Sequence, residues 1–168
     1  MAWLDIVGAV AANTVYVDGA LVAKNATVTL PEVTPVTSEL KAGGTVETPI
    51  PAQVEAMEAT VTLAGPDAGM KKAVAFGTHN YEVRWAQDVL SNDGTSRTVG
   101  CKAFLRATPK TIPGLSVEVG SAQENELTLG VTRYQLFVDG EEMFLIDQLN
   151  DIFRANGTDY GSAVVELL

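Results

Sequence analysis

The chain has 168 residues, of which 46% are hydrophobic and 19% are charged, a composition typical of one folded domain with its own core. Its 21 Asp and Glu residues outnumber its 11 Lys and Arg residues and give a formal net charge of −10, which argues against stable nucleic-acid binding. A single cysteine excludes an internal disulfide, and a single histidine excludes His-rich zinc sites and makes histidine-dependent catalysis an improbable function.

The N-terminal segment, residues 1–12, is apolar but does not predict a signal peptide. No Lys or Arg precedes it and Asp5 interrupts it, whereas a signal peptide has a cationic start and an unbroken apolar stretch. No stretch of the sequence reaches the ~18–20 apolar residues of a membrane helix. We therefore expect residues 1–12 to form a first strand or a docking arm, and we expect no stable membrane binding.

Most of the chain alternates between apolar and polar residues with a period of two, which predicts strands with one face on a core and one face in water. The apolar positions are Val28 and Leu30; Met57, Ala59, Val61 and Leu63; Tyr81, Val83 and Trp85; Val99, Cys101, Ala103 and Leu105; and Leu127, Leu129 and Val131. After Thr132 the aliphatic residues move to even positions, which predicts a bulge or sharp bend near Thr132 and Arg133. A similar switch occurs at Ala56 and Met57.

Asp-Gly and Asn-Gly dipeptides predict tight turns, because they supply the positive φ angles that such turns need. Asp18-Gly19 and Asp139-Gly140 follow similar apolar stretches, so we expect two similar hairpins near the two ends of the chain. Asn92-Asp93-Gly94 and Asn156-Gly157 predict two further turns.

The segment Thr34–Pro51 lacks the pattern of a core strand. It contains three prolines and the pair Gly43-Gly44, and a connection of this length is usually functional or disordered. We expect a two-stranded arm that reaches away from the body and turns at Ala42-Gly43-Gly44. Because such an arm cannot bury its own backbone, we expect a neighbouring molecule to order it.

One convincing helix is predicted after the central strand pattern. Its signals are Pro66 and Asp67 at the start, the apolar stripe Met70, Ala73 and Val74, and the stop residue Gly77. A short helical turn is also expected in Gln148–Arg154. The predicted fold class is therefore mainly β, a sandwich or barrel with one packed α-helix and an extended β-hairpin arm.

The sequence lacks the motifs of an enzyme. It contains neither a glycine-rich phosphate loop nor a nucleophile elbow, so we expect no enzyme activity and no cofactor. We interpret Glu141-Glu142 as a solvated hairpin rim. The acidic and amide group Asp147, Asn150, Asp151 and Asp159 lacks the spacing of a calcium loop. Tyr81, Trp85 and Phe104 leave open a stacking platform for a sugar or a base.

Several segments stand in an order and spacing that are typical of one known family. They are Val28–Pro31, Ala42–Gly44, Glu55–Ala59, Tyr134–Gly140, Ile146–Asn150 and Asn156–Asp159. Through these segments, from about Asn13 to the C-terminus, the chain resembles the major tail tube proteins of contractile-tailed bacteriophages, in particular the P2-type phages, and of R-type tailocins, the phage-tail-like bacteriocins.

The resemblance implies a single tail tube domain over residues 1–168, with a β-sandwich or barrel-type tube fold. It implies hexameric rings that stack into the hollow inner tube of a contractile particle, which pierces the bacterial envelope. The implied partners are further copies of the chain, the contractile sheath protein, baseplate and tail-terminator proteins, a tape-measure protein in the lumen and, in a phage, DNA in passage. The implied location is the virion tail or the extracellular tailocin particle, after assembly in the host bacterial cytoplasm.

The resemblance also assigns residues to two surfaces. The inter-ring arm, residues 34–51, would contact the next ring through Glu39, Leu40, Lys41, Ala42, Gly43, Gly44 and Thr45. The lumen would be lined by Thr27, Thr29, Glu58, Thr60, Thr62, Lys102, Arg106, Glu126, Thr128 and Thr132. This set is neutral overall, whereas lumens of the family tend to be acidic, which lets DNA slide without sticking.

Other functions remain open on the sequence. A secreted tube protein of a type VI-like injection system would share the ring architecture but would carry cargo in its rings. A monomeric carbohydrate-binding β-sandwich is suggested by Tyr81 and Trp85. A hydrolase has almost no support from motifs.

Overall fold

A computed structural model describes residues 5–168 of the chain. The strands are β1 (Ile6–Val17), β2 (Ala20–Lys24), β3 (Thr27–Thr29), β4 (Pro35–Lys41), β5 (Thr45–Val54), β6 (Met57–Ala64), β7 (His79–Leu90), β8 (Ser96–Thr111), β9 (Glu124–Val138), β10 (Glu141–Asp147), β11 (Ile152–Ala155) and β12 (Thr158–Asp159). The helices are α1 (Ala68–Ala73) and α2 (Ser162–Val165). The mainly β fold class is confirmed. No helix within residues 5–168 has the length and apolar character needed to cross a membrane.

The segment predicted as a first strand or docking arm, residues 1–12, is described from residue 5 onward. β1 begins at Ile6 and pairs with β7 over most of its length, so residues 6–12 form a strand. Residues 1–4, the start of the predicted strand or arm, lie outside the described part of the chain.

The main sheet is antiparallel and divides in two along β9. One edge of β9 pairs with β8, whereas the other edge pairs first with β6 and then with β10. The division occurs at Thr132, because β6 pairs with β9 up to Val131 and β10 pairs with it from Arg133 onward. On the other edge, Arg106 of β8 lies opposite Arg133, but the next residue, Ala107, lies opposite Val131. Thr132 is therefore the extra residue of a bulge, which confirms the predicted change of face.

The hydrophobic core lies inside the curved sheet and follows the predicted alternation. Odd-numbered residues of β6, of β8 between Val99 and Pro109, and of the first half of β9 are buried, and the largest fully buried side chains are Leu105, Leu127, Leu129 and Val15. Complete burial of one such side chain stabilises the fold by about 1.5–3 kcal/mol. After the bulge the buried position is Tyr134, an even-numbered residue, as the pattern predicts. Cys101 is buried, as expected for a small core residue.

Both predicted Asp-Gly hairpins form. Asp18 and Gly19 have φ values of 48° and 83° between β1 and β2, and Asp139 and Gly140 have 52° and 78° between β9 and β10. Positive φ at both central residues is the requirement of a type I′ turn, whose twist matches the strands it joins. The turns at Asn92-Asp93-Gly94 and Asn156-Gly157 are also present, after β7 and β11 respectively.

The predicted central helix is shorter than expected. Asp67 is its N-cap, with a side-chain oxygen that accepts a hydrogen bond from the Met70 N–H at 2.7 Å. Pro66 therefore precedes the helix instead of opening it, and the helix ends at Ala73 with Val74 as its C-cap, before Gly77. Met70 and Ala73 face the core, as the apolar stripe predicted.

The helical turn predicted in Gln148–Arg154 is wrong. The buried Asp147 carboxylate accepts hydrogen bonds from the backbone N–H of Leu149 and from the backbone and side chain of Asn150, at 3.1, 3.3 and 2.8 Å. These bonds close a non-helical turn, after which Ile152 begins β11 and pairs with β10. The apolar residues whose spacing indicates a helix therefore lie in this turn and in the short strand β11.

The predicted arm is present as a separate two-stranded sheet, which we call the arm. It consists of β4 and β5, with Lys41 opposite Thr45 at its tip. Gly43 and Gly44 make the reversal with φ values of 64° and 145°, which explains two consecutive glycines there. The pattern switch at Ala56 and Met57 is a break between β5 and β6, not a bend within one strand.

Candidate functional site: a polar strand face and an exposed arm

The side of β3, β6 and the first half of β9 that faces away from the core is rich in threonine. Its residues are Thr27, Thr29, Glu58, Thr60, Thr62, Glu126 and Thr128, and we call this surface the polar face. Strand register places them in rows that run Thr27–Thr62–Glu126, Thr29–Thr60–Thr128 and Glu58–Gly130 across the sheet. Cross-strand threonine pairs are favourable. Seven of the sequence-predicted lumen residues therefore share one surface.

The other three predicted lumen residues have different surroundings. Thr132 occupies the bulge, where its hydroxyl donates a hydrogen bond to the Arg106 carbonyl at 3.3 Å. Arg106 borders the polar face, opposite Arg133 on β9. Lys102 lies further along β8, opposite Arg84 and Phe137, in the half of the strand that is remote from β6. The structure does not bring Lys102 together with the threonine rows.

The polar face also includes residues that the sequence patterns missed. The row of Glu58 and Gly130 continues to Thr108 on β8. Lys110, two residues further, extends its ammonium group to within 2.6 Å of a Glu58 carboxylate oxygen. Both side chains are about half exposed, and such pairs contribute about 0–1 kcal/mol to stability. The continuing alternation of β8 could have indicated Thr108 and Lys110, but Pro109 between them is unusual in a strand.

Two strand edges border the polar face and lack a strand partner among the described residues. β3 pairs with β6 on one side only, and β8 has no β7 partner beyond Ala107, where β7 ends at His79. Pro109 lies in this stretch of β8, as expected for an edge. The strand order β3-β6-β9-β8 is antiparallel throughout, so β3 and the end of β8 run in opposite directions. Unpaired edges of this kind are templates for pairing with another chain.

The arm has two distinct faces. Glu39 lies directly opposite Glu47, and on the other face Leu40 lies directly opposite Val46. Leu40 and Val46 are 54% and 46% exposed. Like charges in direct opposition destabilise a strand pair, and a two-stranded hairpin is marginally stable on its own. On the charged face, the Thr37 hydroxyl donates a hydrogen bond to a Glu47 carboxylate oxygen at 2.5 Å, but Glu39 stays opposite Glu47. The apolar face of the arm is left exposed at Leu40 and Val46.

The stacking platform suggested by the aromatic residues does not form. Tyr81 is buried and its hydroxyl donates a hydrogen bond to the Ala73 carbonyl at 3.0 Å; burial raises its pKa to about 12. Phe104 lies on the opposite face of the sheet and packs edge-on against Phe137, with ring centroids 5.7 Å apart. Tyr81 and Phe104 therefore cannot contact the same ligand.

Two of the acidic residues considered for catalysis or metal binding, Glu142 and Asp147, are engaged in structural contacts. Glu142 binds the Arg154 guanidinium at 2.6 and 2.9 Å, and this hydrogen bonding lowers the pKa of the Glu142 carboxyl. Asp147 holds the turn described above. Within residues 5–168, no cluster of three or more His, Cys, Asp or Glu side chains is arranged to hold a metal ion.

The histidine links two turns on the surface. His79 Nδ1 lies 2.7 Å from a carboxylate oxygen of Asp18, whose other oxygen accepts the Asn80 N–H at 3.0 Å. The bond to Asp18 raises the pKa of His79. The pKa of the Asp18 carboxyl is lowered, mainly by the hydrogen bond from the Asn80 N–H and to a smaller extent by the hydrogen bond with His79. The pair fastens the β1–β2 hairpin to the start of β7, a structural role for both residues.

The chain is similar to known proteins in both its sequence and its fold. Residues 9–166 match the profile of the family described as Phage tail tube protein FII. The chain is 29% identical to the tail tube protein of Escherichia phage P2 over 85 residues, which are 51% of this chain and 49% of that protein, so the match spans about half the length of the curated relative.

The fold is shared with solved structures of an extracellular contractile injection system. A chain of the PVC sheath-tube complex in its extended state is similar with a TM-score of 0.52 and 14% identity, over 74% of this chain and 87% of that one. A chain of the PVC sheath/tube terminator in its extended state has a TM-score of 0.51 and 14% identity, over 74% and 92%. These similarities confirm the predicted tube-type fold.

Proposed function

The chain belongs to the Phage tail tube protein FII family, and we propose that it forms the inner tube of a contractile phage tail or tailocin. Identical subunits form hexameric rings, and the rings stack into a hollow conduit. The function is mechanical: contraction of a surrounding sheath drives the rigid tube through a bacterial envelope and, in a phage, DNA passes through the lumen during genome ejection.

The observation that carries this proposal is the pair of unpaired edges beside the polar face. β3 and the end of β8 run in opposite directions, so β8 of one copy can pair in the antiparallel sense with β3 of the next. Repetition around a ring closes the four strands of each copy into one continuous barrel, which removes the exposed edges. The polar face then lines the lumen, where water explains its threonine content.

The arm supplies the contact between rings. Its tip, Glu39–Thr45, is a hairpin that exposes Leu40 on one face and places Glu39 opposite Glu47 on the other. Docking against the adjacent ring covers Leu40 and Val46 and brings polar or cationic groups of that ring close to Glu39 and Glu47. The unfavourable opposition of Glu39 and Glu47 in the free chain is then relieved in the assembly.

The proposed partners follow from the family and from the similar structures. The two PVC structures are a sheath-tube complex and a sheath/tube terminator. By analogy we assign to this chain a contractile sheath protein, a tail terminator, a baseplate and a tape-measure protein in the lumen. The tube is assembled in the host bacterial cytoplasm and functions in the virion tail or the extracellular particle.

Negative-stain electron microscopy of the purified protein tests the proposal. Rings or hollow rods are expected over a range of protein and salt concentrations. A particle with the mass of one chain under all these conditions would overturn it. Saturable sugar binding by that single particle would instead identify a monomeric carbohydrate-binding β-sandwich.

A further inference from the structure

The ion pair between Lys110 and Glu58 bridges β8 and β6 across the polar face. The two residues belong to β8 and β6, on either side of β9, and their charged atoms are 2.6 Å apart. We propose that Glu58 keeps the Lys110 ammonium group in an ion pair along the wall of the lumen. An anionic polymer such as DNA then slides past without binding this ammonium group. The inference rests on the proposed tube function and assigns a specific role to Glu58.

Gly130 provides the space for this arrangement. A β-carbon at position 130 would lie 3.2 and 3.3 Å from the Cδ and Cγ atoms of Lys110, which is closer than most real contacts allow. Gly130 does not have the positive φ that would otherwise require glycine. Glycine inside a strand weakens it and often marks a close approach by another group. Here the approaching group is the stem of Lys110, which crosses β9 directly above Gly130.

The exposure of the pair favours a role in the lumen over a role in folding. The Lys110 and Glu58 side chains are 54% and 50% exposed, so water could solvate either charge without its partner. Exposed pairs of this kind add little to stability. In a ring, however, every copy places its lysine at the same height. Several free ammonium groups around one polymer would act together, because each phosphate contact adds to the affinity.

Glu126 provides a matched control. It lies on the same polar face, opposite Thr62, but has no ion pair among the described residues. The substitutions Glu58→Gln and Glu126→Gln each remove one negative charge from each copy, but only Glu58→Gln releases a lysine. A general charge effect predicts the same result for both, whereas the proposed shielding predicts a large difference.

Gly130→Val provides a second, independent variant. It leaves every charge in place and favours a strand conformation, but its β-carbon forces the Lys110 stem to shift and its two γ-methyl groups add to that shift, so the pair with Glu58 should weaken. It must therefore change DNA binding in the same direction as Glu58→Gln. The double variant Glu58→Gln/Lys110→Gln removes the released ammonium group and must return to the wild-type level.

The experiment measures retention of a fluorescein-labelled oligothymidylate by rods that electron microscopy has first verified, at low and at physiological salt. We expect Glu58→Gln rods to retain about tenfold more oligonucleotide than wild type at low salt, with the excess lost as salt rises. Glu126→Gln rods should stay within about twofold of wild type. Gly130→Val should also show a salt-sensitive increase.

The failure of this inference is distinguishable from that of the proposed function. If the wild-type protein forms no rings or rods, the tube function is wrong and the lumen assignment is wrong with it. If rods form but Glu58→Gln and Glu126→Gln retain equal amounts of oligonucleotide, or Gly130→Val behaves as wild type, only the shielding role is overturned.

Discussion

Alanine at position 69 should destabilise the chain, although alanine is the better helix former. Gly69 lies within α1, and a β-carbon there would be 2.1 Å from the carbonyl oxygen of Val22 and 2.9 Å from its carbonyl carbon. These atoms are backbone of β2, so a rotamer change cannot relieve the clash. The helix must instead move away from β2 by more than 1 Å, since ordinary contacts begin at about 3.4 Å.

The expected magnitude follows from the contacts that this movement weakens. Loss of the Met70 burial costs about 1.5–3 kcal/mol, and loss of the hydrogen bond from Tyr81 to the Ala73 carbonyl costs about 0.5–1.5 kcal/mol. The higher helix propensity of alanine offsets about 1 kcal/mol. The net destabilisation is about 1–3.5 kcal/mol, comparable to that of overpacked core substitutions.

Urea unfolding of dilute, unassembled subunits, followed by tryptophan fluorescence, measures this effect. With a slope of about 2 kcal/mol per M, the midpoint should fall by about 0.5–1.8 M. Gly100→Ala is the control, because a β-carbon at that strand position meets nothing within 4 Å and φ is not positive. Its midpoint should stay the same or rise slightly. Equal midpoints for the two variants would refute the assigned packing of α1 on β2.

Three further predictions concern pH, the arm and salt. Because the pKa of His79 is raised, its bond to Asp18 stabilises the fold fully below the ordinary histidine pKa of 6.5 and is lost as pH rises through the raised value. The lowered pKa of Asp18 means that its contribution is present above 3.8 and is lost only in stronger acid. An NMR titration should give a His79 pKa above 6.5 that falls in Asp18→Asn, and an unchanged value would contradict the pairing. Deletion of Lys41–Thr45 should leave folded rings that stack poorly in electron micrographs; normal rods from this variant would show that the arm does not join rings. Subunits with a net charge of −10 repel each other, so rods should form more readily at moderate salt, where the screening length is about 8 Å, than at very low salt. Light scattering that rises most at the lowest salt would disprove this dependence.

The strands and turns were predictable because their signals are local. Alternation along β8 and β9 indicates which side chains are buried, and the shift of that alternation at Thr132 indicates the bulge without reference to the neighbouring strands. The Asp-Gly and Asn-Gly turns depend on two residues each. The error at Gln148–Arg154 has a local cause that periodicity does not register: a buried carboxylate, Asp147, bonds the backbone that a helix would have used.

The composition of the polar face was only partly predictable because it depends on register between distant strands. Alternation placed Lys102 and Glu58 on corresponding faces of their own strands, but it does not say which strands adjoin. The division of the sheet along β9 separates Lys102 from the threonine rows. Conversely, Lys110 meets Glu58 across a sequence separation of 52 residues, a contact fixed by the pairing of three strands.

Disulfide cross-linking between the two proposed edges tests the closed barrel most directly. Within one chain, β3 and the end of β8 are three strand spacings apart, about 14 Å, which is too far for a disulfide. A protein with Thr29→Cys and Thr108→Cys, in a Cys101→Ala background, can therefore cross-link these positions only between copies. A scan of the adjacent polar-face positions sets the register, and Thr60→Cys with Thr108→Cys is the interior-strand control. The account predicts a ladder of covalent species that ends at the hexamer, and only for edge-to-edge pairs. A ladder that is absent for every edge pair, from protein that forms rods, would contradict the closure of the barrel through β3 and β8.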